Sequence, residues 1–133
     1  VRDFKNPYYD GPECVCCTKA ASLDWERPWG GYSVLEDIDP PVCVKVLTIN
    51  PKSRLSLQTH EKRSERWFIL DAGIVVTVGD KTWETEVGET VYVPFMEKHR
   101  IENISNRLAR IVELMYGEYH EEDITRIEDD YGR

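Results

Sequence analysis

The chain has 133 residues, 41% of them hydrophobic, with 25 acidic against 17 basic side chains and a formal charge of −8. That length supports one domain around a single packed core. An acidic surface repels nucleic-acid phosphates and anionic lipid, no apolar run reaches the length of a membrane-spanning helix, and no apolar leader opens the chain. Nucleic acid and membrane are therefore not expected as partners, and the cytoplasm is the expected compartment.

Residues 1–26 hold Pro7, Gly11 and Pro12 among polar groups without a clear period. They read as an irregular N-terminal arm ahead of a domain over 27–133. Cys14, Cys16 and Cys17 crowd together, and Cys43 stands apart. Adjacent cysteines make poor staples and the spacing is not a paired Cys-x-x-Cys, so free thiols are expected, with a second, soft metal site as the alternative.

From Gly31 the texture becomes that of strands. Tyr32–Leu35 is short. Val42–Ile49 is β-branched and long enough for a central strand, and Asn50-Pro51 ends it. Leu55, Leu57 and Thr59 alternate with Ser56, Gln58 and His60, giving one apolar and one polar face. Further strands are expected over Trp67–Leu70, Ile74–Val78, Thr82–Thr85, Thr90–Val93, 99–103 and 108–114, parted by Gly and Asp turns. Short strands at this spacing indicate an all-β sandwich or barrel. No internal helix is expected, and the acidic tail from Glu118 to Arg133 could form one short helical turn. A glycine-rich phosphate loop is absent, which argues against a nucleotide-binding domain.

Two of the three histidines fall in a pattern that can bind a metal. Gln58 and His60 are two apart and share a strand face. Glu65 follows a turn, and His99 follows the bend at Pro94. Imidazole, carboxylate and amide make a mixed N/O set. Zinc, manganese, iron, cobalt or nickel could each be held, and the ligands alone do not choose among them, though zinc is the ion expected first. A neutral amide is a weak ligand, so Gln58 is expected to make the metal easier to lose.

The pattern Gln58-x-His60-x4-Glu65, then Pro94-x-Met96-x2-His99-x3-Asn103, resembles the two motifs of the cupin superfamily. Met96 stands where that pattern has glycine. The segments Arg27-Pro28-Trp29-Gly30-Gly31-Tyr32, Arg63-Ser64-Glu65-x-Trp67, Gly117-x-Tyr119, Asp123-Ile124-x-Arg126 and Asp130-Tyr131-Gly132-Arg133 are more specific. They are similar to the C-terminal domain of type II mannose-6-phosphate isomerases, often fused behind a guanylyltransferase domain, which is not expected within these 133 residues. The resemblance implies a cupin jelly-roll barrel that interconverts mannose 6-phosphate and fructose 6-phosphate. It also implies a divalent metal on Gln58, His60, Glu65 and His99. Arg66 and Met115 replace the family's usual His and Gln and are expected to alter the pocket wall.

Isomerisation needs a base, and phosphate needs cations. Glu113 is a candidate base if its strand faces inward, and metal-bound hydroxide is another. Arg63, between two ligands, is the first candidate among the cations, and Lys52, Arg54 and Arg100 follow as phosphate donors. Trp29, Trp67, Trp83, Tyr92 and Tyr116 read as core or interface. Jelly-roll edges need covering, so a homodimer is expected. The rival functions are a non-catalytic sugar-phosphate-binding cupin and a metal-dependent cupin enzyme of other chemistry, such as an oxygenase.

Overall fold

The computed structural model describes residues 25–38, 42–118 and 121–133. Most of the span read as an arm, and with it Cys14, Cys16 and Cys17, lies outside the described residues. Trp25 and Glu26, the last two residues of that span, already belong to the first strand.

The strands are β1 (Trp25–Arg27), β2 (Gly30–Ile38), β3 (Val42–Ile49), β4 (Ser53–Arg54), β5 (Leu57–His60) and β6 (Arg63–Ile69). They continue with β7 (Ile74–Val78), β8 (Lys81–Glu84), β9 (Thr90–Val93), β10 (His99–Asn103), β11 (Ala109–Gly117) and β12 (Ile124–Glu128). One sheet runs β1-β2-β3-β11-β6-β9. The other runs β12-β5-β10-β7-β8, with β4 beside β10. Every pairing is antiparallel. The tail corrects the expectation of a helical turn alone: a single 3-10 turn at Glu121–Asp123 leads into β12, which pairs with β5.

Alternation places one row of each strand between the sheets. On β6 the inward row is Glu65, Trp67 and Ile69, and on β11 it is Ala109, Ile111, Glu113 and Met115. On β3 it is Cys43, Lys45, Leu47 and Ile49. Register aligns these rows. Ile111 lies opposite Ile69 and Leu47, Glu113 opposite Trp67 and Lys45, and Met115 opposite Glu65 and Cys43. The interior is thus apolar at one end and polar at the other. At the apolar end Ile49, Ile69, Ile74, Val76, Ile101 and Ile111 are almost fully buried, each worth about 1.5–3 kcal/mol. The polar end is the site.

Trp29 and Trp67 belong to the core, and Trp83 packs partly against it. Tyr92 and Tyr116 are exposed on the outer face. Gly30 takes φ +148°, and a Cβ there would collide with the Thr48 carbonyl. Close approach of β2 to β3 therefore requires glycine at this point.

Asn103, the last residue of the second motif, is structural. It is fully buried. Its amide donates to the carbonyls of Ile49 (3.0 Å), Asn50 (3.2 Å) and Arg107 (2.6 Å) and accepts from Ser105 N (3.0 Å) and Oγ (2.7 Å). Asn103→Ala orphans these groups and is expected to cost about 2–4 kcal/mol. A urea denaturation midpoint equal to wild type would refute this.

Candidate metal centre

His60 ends β5 and His99 opens β10, and Gln58 and His99 are cross-strand partners. Glu65 comes from β6, on the facing sheet. His60, Glu65 and His99 are each 2% exposed, and one ligand atom from each lies within 4.8 Å of the others. His60 Nε2 is 3.0 Å from Glu65 Oε1, and His99 Nε2 is 3.8 Å from Glu65 Oε2.

Several observations fit a cation at this cluster. The His99 Nδ1–H donates to the Glu97 carbonyl at 2.9 Å, which leaves Nε2 as the bare lone pair. That Nε2 is buried and has no hydrogen-bond partner, a state that costs about 1–3 kcal/mol unless a ligand relieves it. Burial pushes the His99 imidazole below its ordinary value despite the nearby Glu65 charge, so it is the neutral form a metal needs. The Trp67 indole N–H holds Glu65 Oε2 at 2.9 Å, and the Ser56 hydroxyl donates to Gln58 Oε1 at 3.1 Å. Both oxygens are thereby oriented from behind.

The bend before His99 positions it. Met96 N donates to the His60 carbonyl at 2.7 Å, tying the two histidine segments together. Met96 itself takes φ 66°, a left-handed conformation that costs an L-residue about 1–2 kcal/mol, with its side chain 67% exposed. Met96→Gly removes that cost but enlarges the unfolded ensemble, so a net gain of about 0.5–1 kcal/mol is expected, seen as a Tm higher by a few degrees. A lower Tm would show that the Met96 side chain contributes packing at the bend.

Glu113 and Glu65 form a coupled pair of carboxyls. Burial raises the Glu113 pKa well above the ordinary range, and the Glu65 charge and a hydrogen bond between the two raise it further; Lys45 and Arg63 act the other way. Burial would also raise Glu65, but its hydrogen bonds to His60 and to Glu113 help to hold it well below.

A cavity of about 540 Å³, counted to its open mouth, adjoins this cluster, and Gln58, Glu65, Arg63, Glu113 and Met115 help to line it. Arg63 is 4% exposed, with Nη2 3.1 Å from His60 Nε2 and Nε 3.4 Å from Glu65 Oε1. Gly117, at φ +121°, faces the Lys62 carbonyl where a Cβ would clash, so β11 closes tightly on the start of β6 that carries Arg63.

The structure does not bring the other named cations to this cavity's lining. Lys52 Nζ donates to the Ile104 carbonyl, and Arg54 forks onto Asp130 at 2.6 and 2.9 Å. Arg54 on β4 pairs with Glu102, three residues and about 10 Å along β10 from His99. Arg100 borders an inner recess beside Gln58 and His99, but its guanidinium holds the Leu55 carbonyl and Glu128. Arg66 is also corrected: it is exposed on the outer face and stacks over the Tyr92 ring at 4.5 Å, away from the pocket. Met115 does line the wall. Missed by sequence reasoning were the lining cations Arg27, Lys45, Arg126 and Arg133.

Residues 18–129 match the family model described as mannose-6-phosphate isomerase C-terminal. The chain belongs to this family. The alginate biosynthesis protein AlgA of Pseudomonas aeruginosa is 39% identical over 108 residues, covering 80% of this chain and 22% of that protein. The mannose-1-phosphate guanylyltransferase ManC of Salmonella typhimurium is 34% identical over 108 residues, with 80% and 22% coverage. The chain therefore spans about a fifth of the length of these curated relatives. Among solved structures, the cupin domain of Schizosaccharomyces pombe Cnp3 aligns with TM-score 0.66 at 17% identity, covering 75% of this chain and 72% of that one. CapF of Staphylococcus aureus aligns with TM-score 0.68 at 17% identity, covering 77% and 31%. The fold of this family member is a cupin jelly roll.

Proposed function

We propose that the cavity interconverts mannose 6-phosphate and fructose 6-phosphate as a metal-dependent isomerase site. The observation that carries this reading is a second buried carboxyl, Glu113, on the same cavity wall as Glu65, through which the His60–Glu65–His99 cluster reaches that cavity. Membership of the mannose-6-phosphate isomerase C-terminal family supports it.

The reaction moves hydrogen between neighbouring carbons without net oxidation. The C2–H bond breaks, its proton goes to a base, and a proton is delivered to C1. Another leaves O2 as one arrives at O1, and the intermediate enediolate carries negative charge on oxygen. A carboxyl raised above its ordinary range is a stronger base when ionised and a usable acid when protonated, which suits Glu113 to carry the proton. Glu65 is kept ionised by its partners and is the poorer carrier. The buried Arg63 guanidinium sets a fixed positive charge beside the same cluster, where it favours the negative oxygen. A divalent ion on Gln58, His60, Glu65 and His99, zinc foremost, would supply a Lewis acid for that oxygen.

The test is coupled detection of fructose 6-phosphate from mannose 6-phosphate with protein loaded with zinc, cobalt or manganese. Absence of turnover in fully metallated protein sinks the isomerase reading and leaves a binding cupin.

A further inference from the structure

Five cations border the main cavity in a chain whose formal charge is −8: Arg27, Lys45, Arg63, Arg126 and Arg133. They divide by depth. Lys45 and Arg63 are each 4% exposed and lie by the carboxylates, Lys45 opposite Glu113 across β3 and β11, Arg63 beside Glu65. Their charge is balanced inside. Arg126 and Arg133 are exposed and Arg27 is half-buried, so these three stand towards the mouth. Arg27 belongs to β1, the edge strand of one sheet, and Arg126 to β12, an edge strand of the other. The mouth is therefore flanked by cations from both sheets.

Register gives the direction of Arg126. It is the Cα partner of Gln58 on β5. Directly opposed residues of an antiparallel pair project to the same face. Gln58 lines the cavity, and so do Arg126 and Ile124, the partner of His60. The flanking arginines are braced. Arg133 forks onto Asp129 at 3.1 and 3.3 Å, and Arg27 donates to the Tyr32 hydroxyl at 3.4 Å. Among the described residues, no comparable tie holds Arg126. A planar guanidinium presents two parallel N–H donors to a tetrahedral oxyanion.

We propose that Arg126, assisted by Arg27 and Arg133, binds the phosphate monoester of the substrate at the cavity mouth. The sugar carbons then point inward to His60, Glu65 and His99, and the phosphate stays at the rim. The orientation rests on the isomerase reading, whereas the phosphate subsite stands on the cations alone.

Inorganic phosphate is the probe, titrated into metal-loaded wild type, Arg126→Gln, Arg126→Lys and Arg63→Gln and followed by amide chemical shifts. Folding and metal content are checked for each protein. Arg126→Gln is expected to weaken phosphate binding about 10- to 100-fold. Arg126→Lys, which keeps the charge but not the fork, is expected to recover part of that. Mannose 6-phosphate turnover by Arg126→Gln is expected to show the loss mainly in KM. No phosphate binding by wild type, equal affinity in Arg126→Gln, or a loss confined to Arg63→Gln overturns the subsite, whatever the isomerase assay shows. An Arg126-dependent phosphate site in wild type that fails to turn over mannose 6-phosphate leaves the subsite standing and removes the isomerase reading.

Discussion

Glu113→Gln is expected to lower kcat for mannose 6-phosphate isomerisation by about 10²- to 10⁴-fold while the protein keeps its metal and its fold. Glutamine has the shape of glutamic acid and can still hydrogen-bond to Glu65, but it cannot take or return a proton. The variant therefore separates two roles that the geometry superimposes. If Glu113 only steadied Glu65, glutamine would serve nearly as well. If it carries the proton, turnover collapses although metal analysis and thermal melting stay close to wild type. A kcat within tenfold of wild type in metal-loaded Glu113→Gln would assign the proton transfer to another group.

His60→Ala and His99→Ala are each expected to weaken metal binding by roughly 100-fold or more, because each removes a buried imidazole that no neighbour replaces. Mass-spectrometric metal content after gel filtration gives the first measure. Tryptophan fluorescence gives a second that does not depend on activity. The Trp67 indole donates to Glu65 Oε2, so a cation that engages this carboxylate changes the surroundings of Trp67. A fluorescence change on zinc titration is expected in wild type and not in either variant. Stoichiometric metal in both variants would place the site elsewhere. Gln58 bears on the same experiment: a neutral amide holds a cation less firmly than an ionised or imidazole ligand, so wild type itself is expected to lose metal to a chelator readily.

The strands were legible wherever one face is buried. Val42–Ile49, Ile74–Val78 and Thr90–Val93 were expected with the bounds the structure gives. The two-residue spacing of Gln58 and His60 and the bend before His99 located the ligands because both are local features. β12 was not legible as a strand. It is an edge strand whose residues are almost all exposed, so Ile124–Glu128 carries no alternation, and its partner β5 lies more than sixty residues earlier. The mouth cations escaped for the same reason: Arg27 and Arg126 come from opposite ends of the described chain and meet only through sheet topology. Two signals were available. Alternation with inward Glu65 and Trp67 places Arg66 outside, and Lys45 interrupts the inward row Cys43, Leu47, Ile49 with a charge that needs a polar interior. Lys52 and Arg54 lie close in sequence to Gln58 and His60, but the turn after Asn50-Pro51 carries them to the far end of β10.

The lengthwise division of β3, β6 and β11 separates two evolutionary burdens. Each of these strands supplies isoleucine to one half of the interior and a reactive or charged group to the other, a few residues apart on the same face. Substitution at Lys45, Glu113 or Met115 can alter what the pocket accepts without removing a side chain from the isoleucine layer that supplies the main packing. A scaffold divided in this way can diverge in chemistry along one rim while its hydrophobic floor remains under unchanged selection.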